Sequence, residues 1–488
     1  MEPNSTSNAS RGGGQLPDWT VTDLPAPLAF NRHNIFKVIG PGAILAATSI
    51  GGGEWLVGPA TAVKFGTSVM WIASVAIGLQ LIFNLEAIRY TLYTGEPIYA
   101  GFMRLKPGSA FWGVFYGILA IGQLGWPALA LSSAATLFGI MMGRLPGSDA
   151  ADTSLMHWIG MGVIVLAAGI LSVGGTIERM LERASWVMLV FIFSFLVFVN
   201  VVFVPFAHSL ETLRGFVIPG SIGSPVDWAL LGALVGTAAS GGIGNLTITN
   251  WMRDKGFGMG AKLGAIESAV GGKHTALSPT GMIFPITAEN LSRWKTWWKY
   301  VYADQGLVWA LMCFVGLFLN VNLATSLIPP GTNMQGLAAG AYQAQYMAEQ
   351  LWTGFWVLAL LNGFWILFST SLGNTDLLIR TVTDMSWTGS PAARRLAGNR
   401  PGRIYYAALL VFSLWGFFAI RMAGPFVLFQ ILANMAGVVL AIAGVQIFIV
   451  NRKFLPRELR APWWREGLLL FCSAFYTFFT VRVVMSFF

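Results

Sequence analysis

The sequence predicts an all-α, polytopic membrane protein of about eleven transmembrane helices, built as an inverted five-plus-five repeat whose first and sixth helices are broken. Three observations carry that expectation: composition, the spacing of apolar runs, and two glycine clusters at matching places. Of the 488 residues, 55% are hydrophobic and 10% charged, with a mean hydropathy of +0.64. A soluble domain carries about 25% charged residues, so lipid must solvate much of this surface.

The chain opens with MEPNSTSNASRGGGQLPDW, which has no apolar stretch fit for a signal peptide. Residues 1–36 are therefore expected to be a disordered cytoplasmic tail. Residues 37–488 are expected to form one transporter domain. Its apolar runs fall at 38–65, 68–93, 110–142, 155–175 and 180–206, the first repeat at about 38–206. They continue at 227–252, 301–327, 351–375, 403–422 and 425–450, the second repeat at about 227–450, and an extra helix covers 464–486. Each run is at least as long as the ~20 residues that cross a bilayer core. With the N-terminus inside, 25 of the 30 Lys and Arg residues fall on the cytoplasmic side; only Lys64, Arg144, Arg214, Arg421 and Arg482 fall outside. The positive-inside rule describes such a bias. The net charge of +9 is thus a topology signal and implies no nucleic-acid partner. An integral protein of a bacterial plasma membrane is the expected setting. Cys313 and Cys472 both lie in apolar runs and make neither a disulfide framework nor a metal site.

The breaks mark the candidate site. SIGGGEW (49–55) interrupts the first run and AASGGIGNLT (238–247) the sixth. Glycine costs roughly 1 kcal/mol per residue against alanine inside a helix, and unwound backbone is tolerated in a membrane only against protein or water. Both helices are expected to unwind, over 51–54 and 240–244. Close packing through small residues is the bland explanation. The functional one is stronger because broken helices at corresponding positions of a repeat point to a midplane binding site. The substrate-binding candidates are Gly51, Gly52, Gly53 and Glu54 in the first helix, with Ser240, Gly241, Gly242, Gly244 and Asn245 in the sixth. Glu54 is a carboxylate at intramembrane depth, where charge is expensive and function is the default reading. It is the only metal-ligand candidate; the alternative is a structural pairing with Lys64.

GPGAILAATSIGGGEW, followed by LQLIFNLEAIRYTLYTGEP, resembles the first two helices of the NRAMP family, proton-coupled divalent-metal transporters of the amino-acid–polyamine–cation superfamily. LRGFVIPGSIGSPVDWALLGALVGTAASGGIGNL is similar to that family's entry into helix 6, and VLFQILANMAGVVLAIAGVQIFIVNRKFLP to its helix 10. The resemblance implies the fold and a transport function. It also places the usual Asp-Pro-Gly-Asn of helix 1 on Gly51, Gly52, Gly53 and Glu54, and the usual Met-Pro-His of helix 6 on Gly242, Ile243 and Gly244. The helix 3 carboxylate used for proton movement falls near Gln123. A helix 10 glutamine falls on Ala436, leaving Asn434 as the nearest polar group. A soft thioether ligand and one hard carboxylate are thereby missing.

Smaller signals complete the reading. Glu86 and Arg89 form a surface or gate pair, Asn374 and Asp376 line an inner vestibule, and Trp126 with Pro127 makes a kink. His157 and His208 read as interface residues. SAVGGKHT (268–275) only imitates a phosphate loop, since no strand precedes it. No enzyme motif and no cofactor are expected. The expected substrate is a cation, with a hard divalent ion such as magnesium favoured over manganese or iron. A small organic solute held by free amides and Glu54 is the alternative, and a non-transporting receptor a remote third.

Overall fold

In a computed structural model, residues 16–173, 176–222, 225–266, 269, 277–336, 338 and 340–486 are described. Most of the 268–275 stretch and residues 1–15 lie outside them. The chain is a helical bundle, and among the described residues nine helices are long and apolar enough to cross a membrane. They are α2 (Trp71–Thr94), α3 (Ser109–Met142), α4 (Ala150–Ser172), α5 (Ile177–Phe203), α7 (Ala288–Leu327), α8 (Phe355–Gly389), α9 (Pro401–Ala419), α10 (Pro425–Phe454) and α11 (Trp463–Met485). The two remaining expected positions hold interrupted helices. The first is α1a (Pro41–Ser49) and α1b (Gly58–Phe65); the sixth is α6a (Trp228–Thr237) and α6b (Ile243–Lys255). α8 runs through the middle, packing on α1a, α3, α4, α5, α6b and α9.

Several boundaries differ from expectation, each for a physical reason. α7 starts at Ala288 rather than 301, because Trp294, Trp297 and Trp298 bury one face of a polar first segment. α8 continues past Asp376, Arg380 and Asp384 to Gly389; these charges pair inside protein and do not end the helix. α3 breaks between Leu124 and Ala128, where Trp126 and Pro127 stand. Of the expected disordered tail, the described residues 16–36 are tied to the bundle. Thr20–Val21 pairs in parallel with Met282–Ile283, Leu24 N–H donates to Asn290 Oδ1 at 3.1 Å, and the Arg104 guanidinium stacks over Trp19 at 4.4 Å. A few apolar anchors, Leu16, Trp19 and Leu24, suffice to fasten an otherwise polar segment to the bundle.

Candidate binding site at the two helix breaks

The first break is shorter than the sequence suggests. α1a ends at Ser49, Ile50 and Gly51 leave helical geometry, and Gly52–Val57 rewinds as a π-helical turn before α1b. Only 50–51 is unwound, so Gly52, Gly53 and Glu54 sit within a wide helical turn. Such turns are rare and concentrate at functional sites. The start of α1a is held from across the bundle: Asp304 of α7 accepts the N–H groups of Gly40 and Gly42 at 2.9 and 2.7 Å. The carboxylate satisfies donors that a helix N-terminus leaves unpaired.

The three glycines face three different helices. A Cβ on Gly51 would lie 1.7 Å from Thr370 Oγ1 of α8, one on Gly52 2.0 Å from Phe429 of α10, and one on Gly53 2.0 Å from the Thr237 carbonyl oxygen of α6a. Close packing is therefore a real role for all three. That same closeness brings the π-turn against the end of α6a, so the two breaks meet. Next in line, Glu54 is fully buried; its Oε2 accepts the Gly51 N–H at 3.0 Å, and its Oε1 has no hydrogen-bond partner. Lys64 does not neutralise it, because Lys64 Nζ lies 2.8 Å from Asp227 at the start of α6a.

The sixth-helix break spans 238–242, with Gly241 and Gly242 at φ +66° and +56°, a region favouring glycine. Two glutamines stitch it. Gln80 Oε1 of α2 accepts from Ser240 N and Gly241 N, both at 3.1 Å. Gln123 of α3 donates to the Gly241 carbonyl at 3.1 Å and accepts from Ile243 N at 3.0 Å. Ser240 and Ser49 hydroxyls lie 2.6 Å apart, and Trp309 Nε1 donates to Ser240 Oγ at 2.8 Å. Gly244 packs beside Ser240. Asn245 Nδ2 donates to Asn84 Oδ1 at 2.8 Å, and Asn84 to Gln305 Oε1 at 3.0 Å. Gln305 in turn donates to Asp304 Oδ2 at 2.8 Å, so one chain of hydrogen bonds joins α6b to the cap of α1a.

Asn434 stands apart. Its Nδ2 donates to the Ala229 carbonyl at 3.2 Å and its Oδ1 faces Gly232, along α6a and away from the break, while Ala436 packs on Gly241 and Gly242. Gln80, Asn84, Asp304, Gln305 and Trp309 were not among the sequence candidates. Gln80 and Asn84 did carry a signal, being polar residues one turn apart in an apolar helix.

Toward the end of the bundle that carries the basic loops lies a second buried network. Arg380 Nε lies 2.8 Å from Asp376, and Arg380 also pairs with Asp254; Arg253 Nη1 lies 2.7 Å from Asp384. Trp251 and Tyr405 donate to Asp376 at 2.9 and 2.6 Å. Asp376 is thus a packed ion-pair member rather than a vestibule lining. The Glu86–Arg89 pair is likewise buried, 2.8 Å apart, with Arg465 at 2.7 Å from Glu86. His208 contacts Thr325 at 3.1 Å.

Among the described residues, no cluster of three His, Cys, Asp or Glu side chains could hold a metal. The orphaned side-chain atoms of the candidate residues, Glu54 Oε1, Asn245 Oδ1 and Asn434 Oδ1, are all oxygens.

No protein-family model and no curated protein matches the chain. Solved structures do. A manganese transporter from Eremococcus coleocola, in complex with an aromatic bis-isothiourea substituted compound, aligns with a TM-score of 0.64 at 12% identity over 96% of this chain and 91% of that one. Two mutants of that transporter align at 0.62 and 0.64, both at 12% identity over 96% of this chain and 90% of theirs. The chain thus has the NRAMP-like fold and is a multi-pass integral membrane protein.

Proposed function

We propose that the protein is a secondary-active transporter that moves a hard divalent cation, such as magnesium, through the junction of the two broken helices. The observation that carries this reading is the fully buried Glu54, whose Oε1 has no donor or cation partner at the point where the breaks meet. A buried carboxylate oxygen without a partner is costly, and a cation would supply the missing interaction. Oxygen ligands suit a hard ion that keeps part of its hydration. The thioether that would favour a transition metal over magnesium is absent from the places the resemblance gives it, Gly242, Ile243 and Gly244. An organic carboxylate is less well served at the sixth-helix break, where Gln80 and Gln123 already accept the N–H groups of Ser240, Gly241 and Ile243.

The basic loops support an orientation with the N-terminus in the cytoplasm and the C-terminus outside. A thermal-shift panel on purified protein tests the substrate class, since a ligand of the native state raises its melting temperature. Saturable stabilisation by magnesium, weaker with manganese, is expected. Stabilisation by amino acids or organic acids and by neither metal would overturn the assignment.

A further inference from the structure

A lateral groove of about 840 Å³ lies between α3, α8 and α9, floored by the short helix Pro391–Leu396. Its walls are apolar, including Ile121, Val382, Ala407, Val411 and Trp415, and Arg403 closes one end. Arg403 and Trp415 are twelve residues apart on one helix, which at 1.5 Å per residue is ~18 Å. That is close to one leaflet of a ~30 Å hydrocarbon core. Ile121 and Val411 are more than half exposed, so the groove opens toward lipid rather than toward the helix breaks.

Its charged end is one-sided. Arg394, Arg395, Arg400 and Arg403 fall within residues 391–403, a segment with no acidic residue. Among the described residues, none of these four guanidiniums pairs with a carboxylate. At the same end, Arg253, Arg380, Arg452 and Arg465 are paired; among the described residues Arg179, Arg183, Arg457 and Arg460 pair with no carboxylate either, but only Arg403 lines this groove. We infer that the groove is a binding site for an anionic phospholipid, with an acyl chain between α3, α8 and α9 and its phosphate at the Arg400–Arg403 end. Arginine suits phosphate because its planar fork donates two parallel hydrogen bonds. Each basic residue near an anionic lipid surface is worth about 1 kcal/mol, which is about a fivefold change in affinity.

Native mass spectrometry of the full-length protein, released from nanodiscs of phosphatidylcholine mixed with phosphatidylglycerol, tests this. Wild type should retain phosphatidylglycerol in preference to phosphatidylcholine. Arg403→Gln should lower that retention about fivefold, and Arg400→Gln with Arg403→Gln further. Ala407→Trp, at an exposed lining position, should exclude the acyl chain while leaving the melting temperature unchanged. Arg452→Gln, at a position paired with Glu466 on another face, should retain wild-type adducts. Equal retention of the two lipids, or phosphatidylglycerol adducts that survive both Arg403→Gln and Ala407→Trp, would overturn the inference. The readout is independent of transport, so it stands apart from the substrate assignment.

Discussion

Ser49 Oγ and Ser240 Oγ lie 2.6 Å apart, joining the last turn of α1a to the break that precedes α6b. Trp309 Nε1 points at both, 2.8 Å from Ser240 and 3.3 Å from Ser49. The two interrupted helices are therefore latched by hydroxyls as well as by backbone packing. Ser49→Ala and Ser240→Ala should each cost about 1 kcal/mol of stability. Because they share one bond, the double mutant should lose less than the sum by about 0.5 kcal/mol or more. Denaturation of the four proteins in a mild detergent measures this; strict additivity would mean the hydroxyls are not coupled.

The glycines make a sharper test, because their neighbours differ in kind. Gly52→Ala meets the far end of the Phe429 ring, whereas Gly53→Ala meets the Thr237 backbone carbonyl. Both should destabilise by about 1–3 kcal/mol through overpacking. Phe429→Leu should recover part of the loss in Gly52→Ala and nothing in Gly53→Ala. Equal rescue in both backgrounds, followed by thermal melting, would contradict the packing described.

These glycines also show how far the sequence could be read. Their clustering marked the breaks and their placement in the first and sixth helices marked the fold, because helix propensity and bilayer desolvation act locally. Which helix each glycine faces depends on tertiary packing, so the π-turn over Gly52–Val57 was not visible. The register put Ala436 at the break, where it packs; Asn434 is only the nearest polar group, and two residues along a helix turn a side chain by about 200°. Asp304 carries no such signal in the sequence, because a charge near the end of an apolar run looks like a boundary. In the folded chain it caps α1a instead, and the same logic hid the Arg380 network that lets α8 run on to Gly389.

Gln123→Leu removes a side chain that serves both Ile243 N–H and the Gly241 carbonyl. An orphaned buried backbone group costs about 1–3 kcal/mol. The variant should be destabilised by at least that much, and Gln123→Glu, which still accepts but no longer donates when ionised, should fall between. Melting temperatures of the three proteins at one pH give the order; Leu equal to wild type would remove Gln123 from the break.

Arg380 holds Asp376 and Asp254 within the bundle, fully buried itself. Arg380→Met should cost about 3–5 kcal/mol, as expected when one partner of a buried ion pair is removed. The half-exposed Arg452, paired with Glu466, should cost less than about 1 kcal/mol when changed to Gln. Comparable losses in the two variants, read by denaturant titration, would contradict the burial of the α6b–α8 network.

Cysteines placed at Arg395 and at Gly143 should react with impermeant maleimide from opposite sides of sealed vesicles. The native Cys313 and Cys472 are buried and should stay silent. Labelling of both introduced cysteines from one side would break the eleven-helix topology.

The central claim rests on Glu54, and uptake into proteoliposomes tests it most directly. Wild-type protein should accumulate magnesium saturably and manganese poorly. Glu54→Gln keeps the size of the side chain and removes its charge, so magnesium uptake should fall to the level of protein-free liposomes while the melting temperature stays at or above wild type. Saturable manganese uptake by wild type, or magnesium uptake undiminished in Glu54→Gln, would contradict the account.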